Sequence, residues 1–320
     1  MRARLVQLPE GPLPTLIPMS ATPAGAEQPA SLANQDLAFL ILINFIWGLN
    51  LVASKIGVTE FPPIFFTALR FGSVALLLVP LLRVHRGQMR TLLAAAALTG
   101  PASFALLFSG MHLVGDASMV AIASQMGVPF STLLSVWLLG ETIRWRRRLG
   151  IMLAFLGIVV IGLDPRAFAY WEGLLLVVAS CMVGSLGLIF IKRLKGVRAL
   201  ELQAWIALAG APILFALSLL IESGQAQSVR NADLHAWLAL AYTAVMSSLV
   251  AHTGWYYLLS RYPVTSLSPL TLLSPIFGVG FGVTLLDDQL TWRMLVGGAI
   301  TLVGVFIVLV RERKLIDTGT

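Results

Sequence analysis

The chain has 320 residues, of which 58% are hydrophobic and only 12% are charged, and its mean hydropathy is +0.87. Soluble domains carry about 25% charged residues, so the composition excludes an ordinary water-soluble enzyme, a nucleic-acid-binding domain or a disulfide scaffold. The net charge of +7 is consistent with a membrane protein whose cytoplasmic loops are rich in Lys and Arg. The single cysteine, Cys181, cannot form an internal disulfide.

Residues 1–34 are rich in Pro, Ala, Gly and Ser and contain no sustained apolar run, which predicts a disordered tail without a cleaved signal peptide. Met19 is a candidate for the true translation start, and the sequence leaves open whether Met1 or Met19 is used. Beyond this tail the chain is a series of apolar stretches separated by short polar segments. Most have the length of about 17–25 residues that a membrane span requires, and they must be helical because unpaired backbone cannot face lipid. We predict ten transmembrane helices, at 36–54, 64–82, 91–111, 117–139, 149–163, 171–191, 200–221, 235–259, 264–286 and 294–310.

The distribution of Lys and Arg predicts the orientation of these helices. With the N-terminus in the cytoplasm, seventeen of the 22 Lys and Arg residues fall on the cytoplasmic side and four on the opposite side. The positive-inside rule therefore predicts a multi-pass protein of the cytoplasmic (inner) membrane with both termini in the cytoplasm, including a C-terminal tail at 312–320.

The second half of the sequence repeats the first at a shift of 147 positions, where residues 140–157 fall on residues 287–304. The shift places Glu141 on Asp288, Trp145 on Trp292, Gly150 on Gly297 and Gly157 on Gly304. We predict two repeats, at 35–165 and 168–311, with five helices each. Because five is odd, the second repeat must enter the membrane upside down, an arrangement typical of transporters that bind solute between their repeats.

The motifs at these positions resemble the EamA family of the drug/metabolite transporter superfamily. The first unit contains WGLNLVASKIG from Trp47, ALRFGSVALLL around Arg70, and VPFSTLLSVWLLGETIRWRRRLG. The second closes with SPIFGVGFGVTLLDDQLTWRMLVGG, in which Asp288 replaces the usual Glu. The resemblance implies an exporter or exchanger of small metabolites with ten helices in two EamA-type repeats, and it leaves the solute open.

Arg70 is a charged residue inside the second predicted span, where insertion costs about 2.5–3.5 kcal/mol. One interpretation is that its guanidinium binds a substrate carboxylate or phosphate. The alternative is a structural role, in which it snorkels to the interface or joins two helices.

Other polar and aromatic side chains share helical faces and are candidates to line a central cavity. Packing between helices is the alternative for each of them. His252 is the only residue deep in a predicted span that titrates near neutrality, and no Asp or Glu is predicted at mid-span. The predicted cavity residues besides Arg70 are Trp47, Asn50, Ser54, Ser124, Gln125, His252, Trp255, Tyr256, Thr271 and Ser274.

Pro129 and Pro275 lie at matching places in the fourth and ninth predicted helices. Interrupted helices at corresponding positions of two repeats indicate a transporter binding site, although each could also be a kinked packing helix. The remaining repeated residues are predicted to be structural or to fix the topology, and these are Glu141, Asp288, Trp145, Trp292, Gly150 and Gly297.

We therefore expect a secondary-active or exchange-type transporter, not an enzyme, that exports an amino acid or related metabolite by alternating access. An exchanger of sugar phosphates or nucleotide sugars, and a non-transporting membrane scaffold, are the alternatives. The expected partners are a small-molecule solute and the lipid bilayer, with no nucleic acid, no cofactor and no metal. The sequence leaves the direction of transport, the coupling ion and the oligomeric state open.

Overall fold

A computed structural model describes residues 33–139, 143–262 and 267–309, and every regular element in these ranges is a helix. Two short helices, Pro165–Ala169 and Gln225–Asn231, lie in loops. The long helices, in chain order, are α1 (Asn34–Glu60), α2 (Pro63–Leu81), α3 (Met89–Leu113), α4 (Ala117–Leu138), α5 (Trp145–Gly162), α6 (Trp171–Lys192), α7 (Ala199–Ile221), α8 (234–261), α9 (268–285) and α10 (Trp292–Leu309).

Eight of these helices are long and apolar enough to cross a bilayer. The exceptions among the described long helices are α5, which begins with the basic run 145–148, and α9, whose apolar part Leu270–Leu285 is shorter. Large apolar side chains cover the outside of the bundle. Leu76, Trp137 and Leu220 are 80%, 80% and 81% exposed. Exposing such side chains to water would cost free energy, whereas contact with lipid does not.

Helix ends are held by side chains from other helices as well as by local caps. Pro63 begins α2, where its missing N–H costs nothing. The next two N–H groups, of Ile64 and Phe65, donate to the Glu222 carboxylate at the end of α7, at 2.8 and 3.0 Å. At the start of α8, Asp233 accepts a hydrogen bond from the backbone N–H of Ala236 at 2.8 Å. A half-buried carboxylate from one half of the chain thus stabilises the helix N-terminus of the other.

The helices pack in a pattern that is preserved when the first five are exchanged with the last five. α5 packs on α10, and α2 packs on α7. Exchanging the halves turns the pair α1 and α9 into the pair α6 and α4, and both pairs are in contact. It likewise turns α3 and α6 into α8 and α1, which are also both in contact. The helix contacts therefore show the same twofold repetition as the amino-acid sequence.

Glycines bring α5 and α10 into direct backbone contact. A Cβ at Gly150 would lie 2.7 Å from the carbonyl oxygen of Gly304, and one at Gly297 would lie 2.6 Å from that of Gly157. Since Gly150 lies opposite Gly304 and Gly157 opposite Gly297, the two helices run antiparallel. Only small residues allow such a close approach.

Apart from the 3₁₀ turn Val79–Leu81 that ends α2, four of the described helices depart from regular α geometry, at overlapping positions of the two repeats. α3 widens into a π-helix at Leu98–Ala102 and α8 at Tyr242–Ala251, which the shift of 147 superposes. α4 and α9 tighten into 3₁₀-helix at Ser124–Met126 and Ser268–Leu272. Such segments are often functional, and here they occur in both halves.

Asp164 links the end of α5 to the start of α10. Its carboxylate accepts from the Arg166 backbone N–H at 2.9 Å and from the Thr291 hydroxyl at 2.5 Å. These hydrogen bonds, with Thr291 the larger effect, lower the pKa of Asp164 below its ordinary value of 3.8.

We expect Asp164→Asn to destabilise the folded protein at pH 7 by about 1 kcal/mol, the typical net value of one such hydrogen bond. Because the folded-state pKa is depressed, the wild-type advantage is complete well above pH 3.8 and disappears as the pH falls through the folded-state pKa. Thermal unfolding of both proteins between pH 7 and pH 3 measures this, and a constant difference across the range would contradict it.

Candidate functional site

A cavity of about 260 Å³ lies between helices of both halves of the chain. Its lining comes from α1, α2, α3 and α4 of the first half and from α8 and α9 of the second. The lining residues are Trp47, Asn50, Leu51, Ser54, Arg70, Phe104, Leu107, Phe108, Met111, Ala121, Ser124, Gln125, Ser247, His252, Ser274 and Pro275.

Most of the residues predicted from sequence to line a cavity do so together. The predicted residues in the lining are Trp47, Asn50, Ser54, Arg70, Ser124, Gln125, His252 and Ser274, with the helix-break residue Pro275. Trp255, Thr271 and Pro129 are not part of it. Trp255 packs behind the cavity, with its ring centroid 5.9 Å from that of Trp47. Glu141 and the side chain of Tyr256 lie outside the described part of the structure.

The sequence prediction missed the contribution of α3. Phe104, Leu107, Phe108 and Met111 line the cavity, but an apolar side chain in a membrane helix gives no sign of whether it faces lipid or a cavity. Ser247 was also missed. Ser247 lies five residues before His252, and this spacing does not predict a shared face in a regular α-helix. The two residues line the same cavity because Ser247 lies within the π-helix of α8.

Arg70 is buried, with 2% of its surface exposed. Its Nε and Nη2 donate to the Ser248 hydroxyl at 3.3 and 3.1 Å, and Nη2 also approaches the Ser247 hydroxyl at 3.5 Å. Its guanidinium carbon lies 5.3 and 5.8 Å from the ring centroids of Phe104 and Phe108. Its Nη1 is buried with no hydrogen-bond partner. Among the described residues, no Asp or Glu forms an ion pair with it.

Three side chains on one face of α1 line the cavity with polar atoms that have no partner. These atoms are the Trp47 indole nitrogen, the Asn50 Oδ1 and the Ser54 hydroxyl oxygen. Positions 47, 50 and 54 are three and four residues apart, the spacing of one helix face. Gly48 lies on the neighbouring face of α1. A Cβ there would lie 2.5 Å from the Cβ of Phe277, so the glycine is what allows α1 to pack this closely on α9.

The π-helix of α8 orients His252. Its Nδ1 lies 2.6 Å from the Ser247 carbonyl oxygen, and because a carbonyl can only accept, Nδ1 carries the proton. When the ring is neutral, its Nε2 is then an acceptor. The imidazole packs edge-on against Trp47, with ring centroids 5.4 Å apart.

The interruption in α4 is stabilised by α6. The Gly127 carbonyl accepts from the Ser185 hydroxyl at 3.0 Å, and the Ser124 carbonyl accepts from the Cys181 thiol at 3.4 Å. The Ser124 hydroxyl donates to the Val120 carbonyl at 2.7 Å. These side-chain bonds add to the backbone hydrogen bonds around the 3₁₀ turn, in which the Val120 and Ser124 carbonyls also accept from backbone N–H groups of α4. Such compensation is typical of irregular helices in membranes.

Of the repeated residues outside the cavity, Gly150 and Gly297 lie in the contact of α5 with α10, and the two tryptophans and Asp288 lie at helix ends. Trp145 and Trp292 begin α5 and α10, are each 66% exposed, and each stacks with the arginine that follows it. Asp288 is buried and accepts from the backbone N–H and the hydroxyl of Ser118 at 2.7 and 2.6 Å, so it caps α4. Lys55 donates to the carbonyls of Met111 and Val114 at the end of α3, where a cation is favoured.

Within the described ranges, no group of three His, Cys, Asp or Glu side chains is arranged to bind a metal ion. The arrangement offers a small, mostly apolar chamber with one cation, hydrogen-bonding donors and acceptors, and lining from both halves. Such a chamber can hold a small polar solute away from lipid.

Comparison with known proteins agrees with this arrangement. The EamA-like transporter family matches the chain twice, over residues 36–163 and 171–310. A "Probable amino-acid metabolite efflux pump" of Escherichia coli is 27% identical over 90% of this chain and 100% of its own length. A protein of the same description from Salmonella typhimurium is 28% identical over 86% of this chain and 95% of its own length. A solved crystal structure shares the fold, with a TM-score of 0.57 and 18% identity over 85% of this chain and 96% of its own. The chain is therefore a multi-pass membrane transporter that belongs to the EamA-like transporter family.

Proposed function

We propose that the protein exports a small organic metabolite, an amino acid or a related compound, from the cytoplasm across the inner membrane by alternating access. The observation that carries the proposal is the cavity between the two halves, in which buried polar atoms of Trp47, Asn50, Ser54 and Arg70 have no partner among the residues that the structure describes. A buried unpaired polar group costs about 1–3 kcal/mol. A polar solute would satisfy these groups.

The proposal includes ten membrane spans in two inverted repeats. The antiparallel glycine contact of α5 with α10 and the packing pattern conserved under exchange of the halves support it. The irregular segments in α3, α4, α8 and α9 lie at matched positions. Regular hydrogen bonding is interrupted there, so we propose that these helices bend when the cavity opens to one side and then to the other.

The inverted arrangement predicts opposite membrane sides for Trp145 and Trp292. In a Cys181→Ala background, Trp145→Cys should be labelled by an impermeant maleimide from the cytoplasmic side only. Trp292→Cys should be labelled from the outside only. The two positions are equally exposed, at 66%, and so control for each other. Labelling of both from one side would exclude inversion.

Transport itself is tested by counterflow. Proteoliposomes loaded with one unlabelled solute should accumulate the same solute in labelled form when it is a substrate, with protein-free liposomes as the control. The panel should contain amino acids, organic cations and sugar phosphates. We expect accumulation of at least one amino acid. Accumulation of sugar phosphates alone would favour the exchanger, and no accumulation of any solute would contradict the proposed function.

A further inference from the structure

The charge of the cavity narrows the class of solute. Among the described residues, its lining contains one permanent cation, Arg70, and no Asp or Glu. In a site of low dielectric, one buried cation favours a solute with one anionic group and disfavours a solute whose net charge is positive. A phosphate dianion would leave a second negative charge unmatched among the lining residues.

Arg70 is positioned to use one edge of its guanidinium for a ligand. The Ser247 and Ser248 hydroxyls contact Nε and Nη2 but bring no charge to neutralise it. Phe104 and Phe108 pack against the guanidinium, which fixes its plane. The buried Nη1 has no partner in the described part of the chain, and it is then the group from which a carboxylate oxygen would accept a hydrogen bond.

The face of α1 supplies acceptors. Asn50 Oδ1 and Ser54 Oγ are buried in the cavity wall without partners, and both accept hydrogen bonds from an ammonium group. They carry no formal charge, so they stabilise an ammonium without neutralising Arg70 in advance. The cavity therefore combines a cation for a carboxylate with neutral acceptors for an amine.

Much of the remaining lining is apolar, from Leu51, Phe104, Leu107, Phe108 and Met111, and its other polar members carry no permanent charge; these are Ser124, Gln125, Ser247, His252 and Ser274. Among the described lining residues, none besides Arg70 would neutralise a charged side chain of a solute. The volume of about 260 Å³ lies below the range of about 300–1,000 Å³ of pockets for drug-sized ligands. It therefore suits a compact solute.

We propose that the cavity binds a neutral α-amino acid with an apolar side chain, its carboxylate on Arg70, its ammonium on Asn50 and Ser54, and its side chain against Phe104, Leu107, Phe108 and Met111. This inference rests on the proposed function and specifies its solute. It makes Arg70 the residue that selects for the carboxylate.

The test is competition against tritiated L-leucine bound to the purified full-length protein. L-Methionine and L-phenylalanine should compete at concentrations similar to leucine. Leucinol, which lacks the carboxylate, and 4-methylvalerate, which lacks the ammonium, should compete at least about tenfold more weakly, as should L-lysine and L-glutamate, because each leaves a charged or polar group unpaired. Equal competition by leucinol or lysine, or no binding of leucine to the folded wild-type protein, would overturn the proposal.

Arg70→Gln should weaken leucine binding by at least about tenfold, and Arg70→Lys should retain part of it, because the lysine keeps the charge. Arg83→Gln is the matched control, since its side chain is 65% exposed and lies outside this cavity. Unchanged leucine binding by folded Arg70→Gln would contradict the assignment. If Arg70→Gln does not fold, the competition series on the wild-type protein decides alone.

Failure of this inference is distinguishable from failure of the proposed function. Counterflow of another solute, with no competition by leucine, would overturn the solute class and leave the transporter intact. Absence of counterflow for the whole panel would overturn both.

Discussion

Replacing Gly157 with leucine should prevent the normal packing of α5 on α10 and destabilise the folded protein by about 3 kcal/mol or more. Any Cβ at position 157 would overlap the Gly297 carbonyl and the Thr301 hydroxyl, and it would lie 2.6 Å from the Thr301 backbone nitrogen. Two of these atoms belong to the backbone of α10, so a rotamer change cannot relieve the overlap. The two helices must therefore separate. For this reason we expect a loss of stability at the upper end of the range of about 1–3 kcal/mol that overpacking usually costs, or above it.

Thermal unfolding of the detergent-purified protein, followed by size-exclusion chromatography, measures this effect. Gly162→Leu is the matched control, because it lies at the end of the same helix and a Cβ there has no atom within 4 Å. It should change the stability by less than about 0.5 kcal/mol. Gly297→Leu, at the position related by the repeat, should be as damaging as Gly157→Leu. A Gly157→Leu protein as stable as Gly162→Leu would refute the contact.

Replacing Asp288 with alanine should destabilise the protein by about 1.5–3 kcal/mol, the range for hydrogen bonds to charged groups. The variant would leave the backbone N–H and hydroxyl of Ser118 without their acceptor at the start of α4. The chain reaches this geometry because Asp287, at φ 56°, adopts the left-handed conformation beyond the end of α9. A Cβ at Gly282 would overlap the Asp288 carboxylate, so α9 also leaves room for it.

The neighbouring variant Gln289→Ala is the control for Asp288→Ala. Its side chain accepts one exposed hydrogen bond from Arg166 at 3.1 Å, and it should be within about 0.5 kcal/mol of wild type. In a double-mutant cycle, Ser118→Ala and Asp288→Ala should be strongly non-additive, because each removes the same bond. Additive losses would show that the two residues act independently.

Asp288 also acts on a neighbouring carboxyl group outside the spans. Burial raises the pKa of Asp116, and the negative charge of Asp288 raises it further. Asp288→Ala should therefore lower the pKa of Asp116 toward its ordinary value of 3.8. The two acids and Lys55 interact at the same end of the bundle, although the sequence separates them widely.

The sequence alone determined the class of protein, the approximate position of its helices and the repeat. These follow from patterns that local physics imposes: a helix must be apolar over the thickness of the bilayer, and a repeat preserves glycines where backbones touch. The family predicted from the motifs around Trp47, Arg70 and Asp288 is confirmed by the double match over residues 36–163 and 171–310. Polar residues at mid-span, such as Arg70 and Asn50, were identifiable because lipid makes them costly.

Only the tertiary structure decided which of these residues share a cavity and which apolar residues join them. In lipid, Phe104 and Leu107 have the same hydrophobicity whether they face the bilayer or a chamber, so no sequence pattern separates the two cases. The π-helix of α8 turns Ser247, Ser248 and His252 by an amount that a regular helical period does not predict. The bonds between Arg70 and these serines join residues 177 and 178 positions apart, and such contacts arise from packing between the halves.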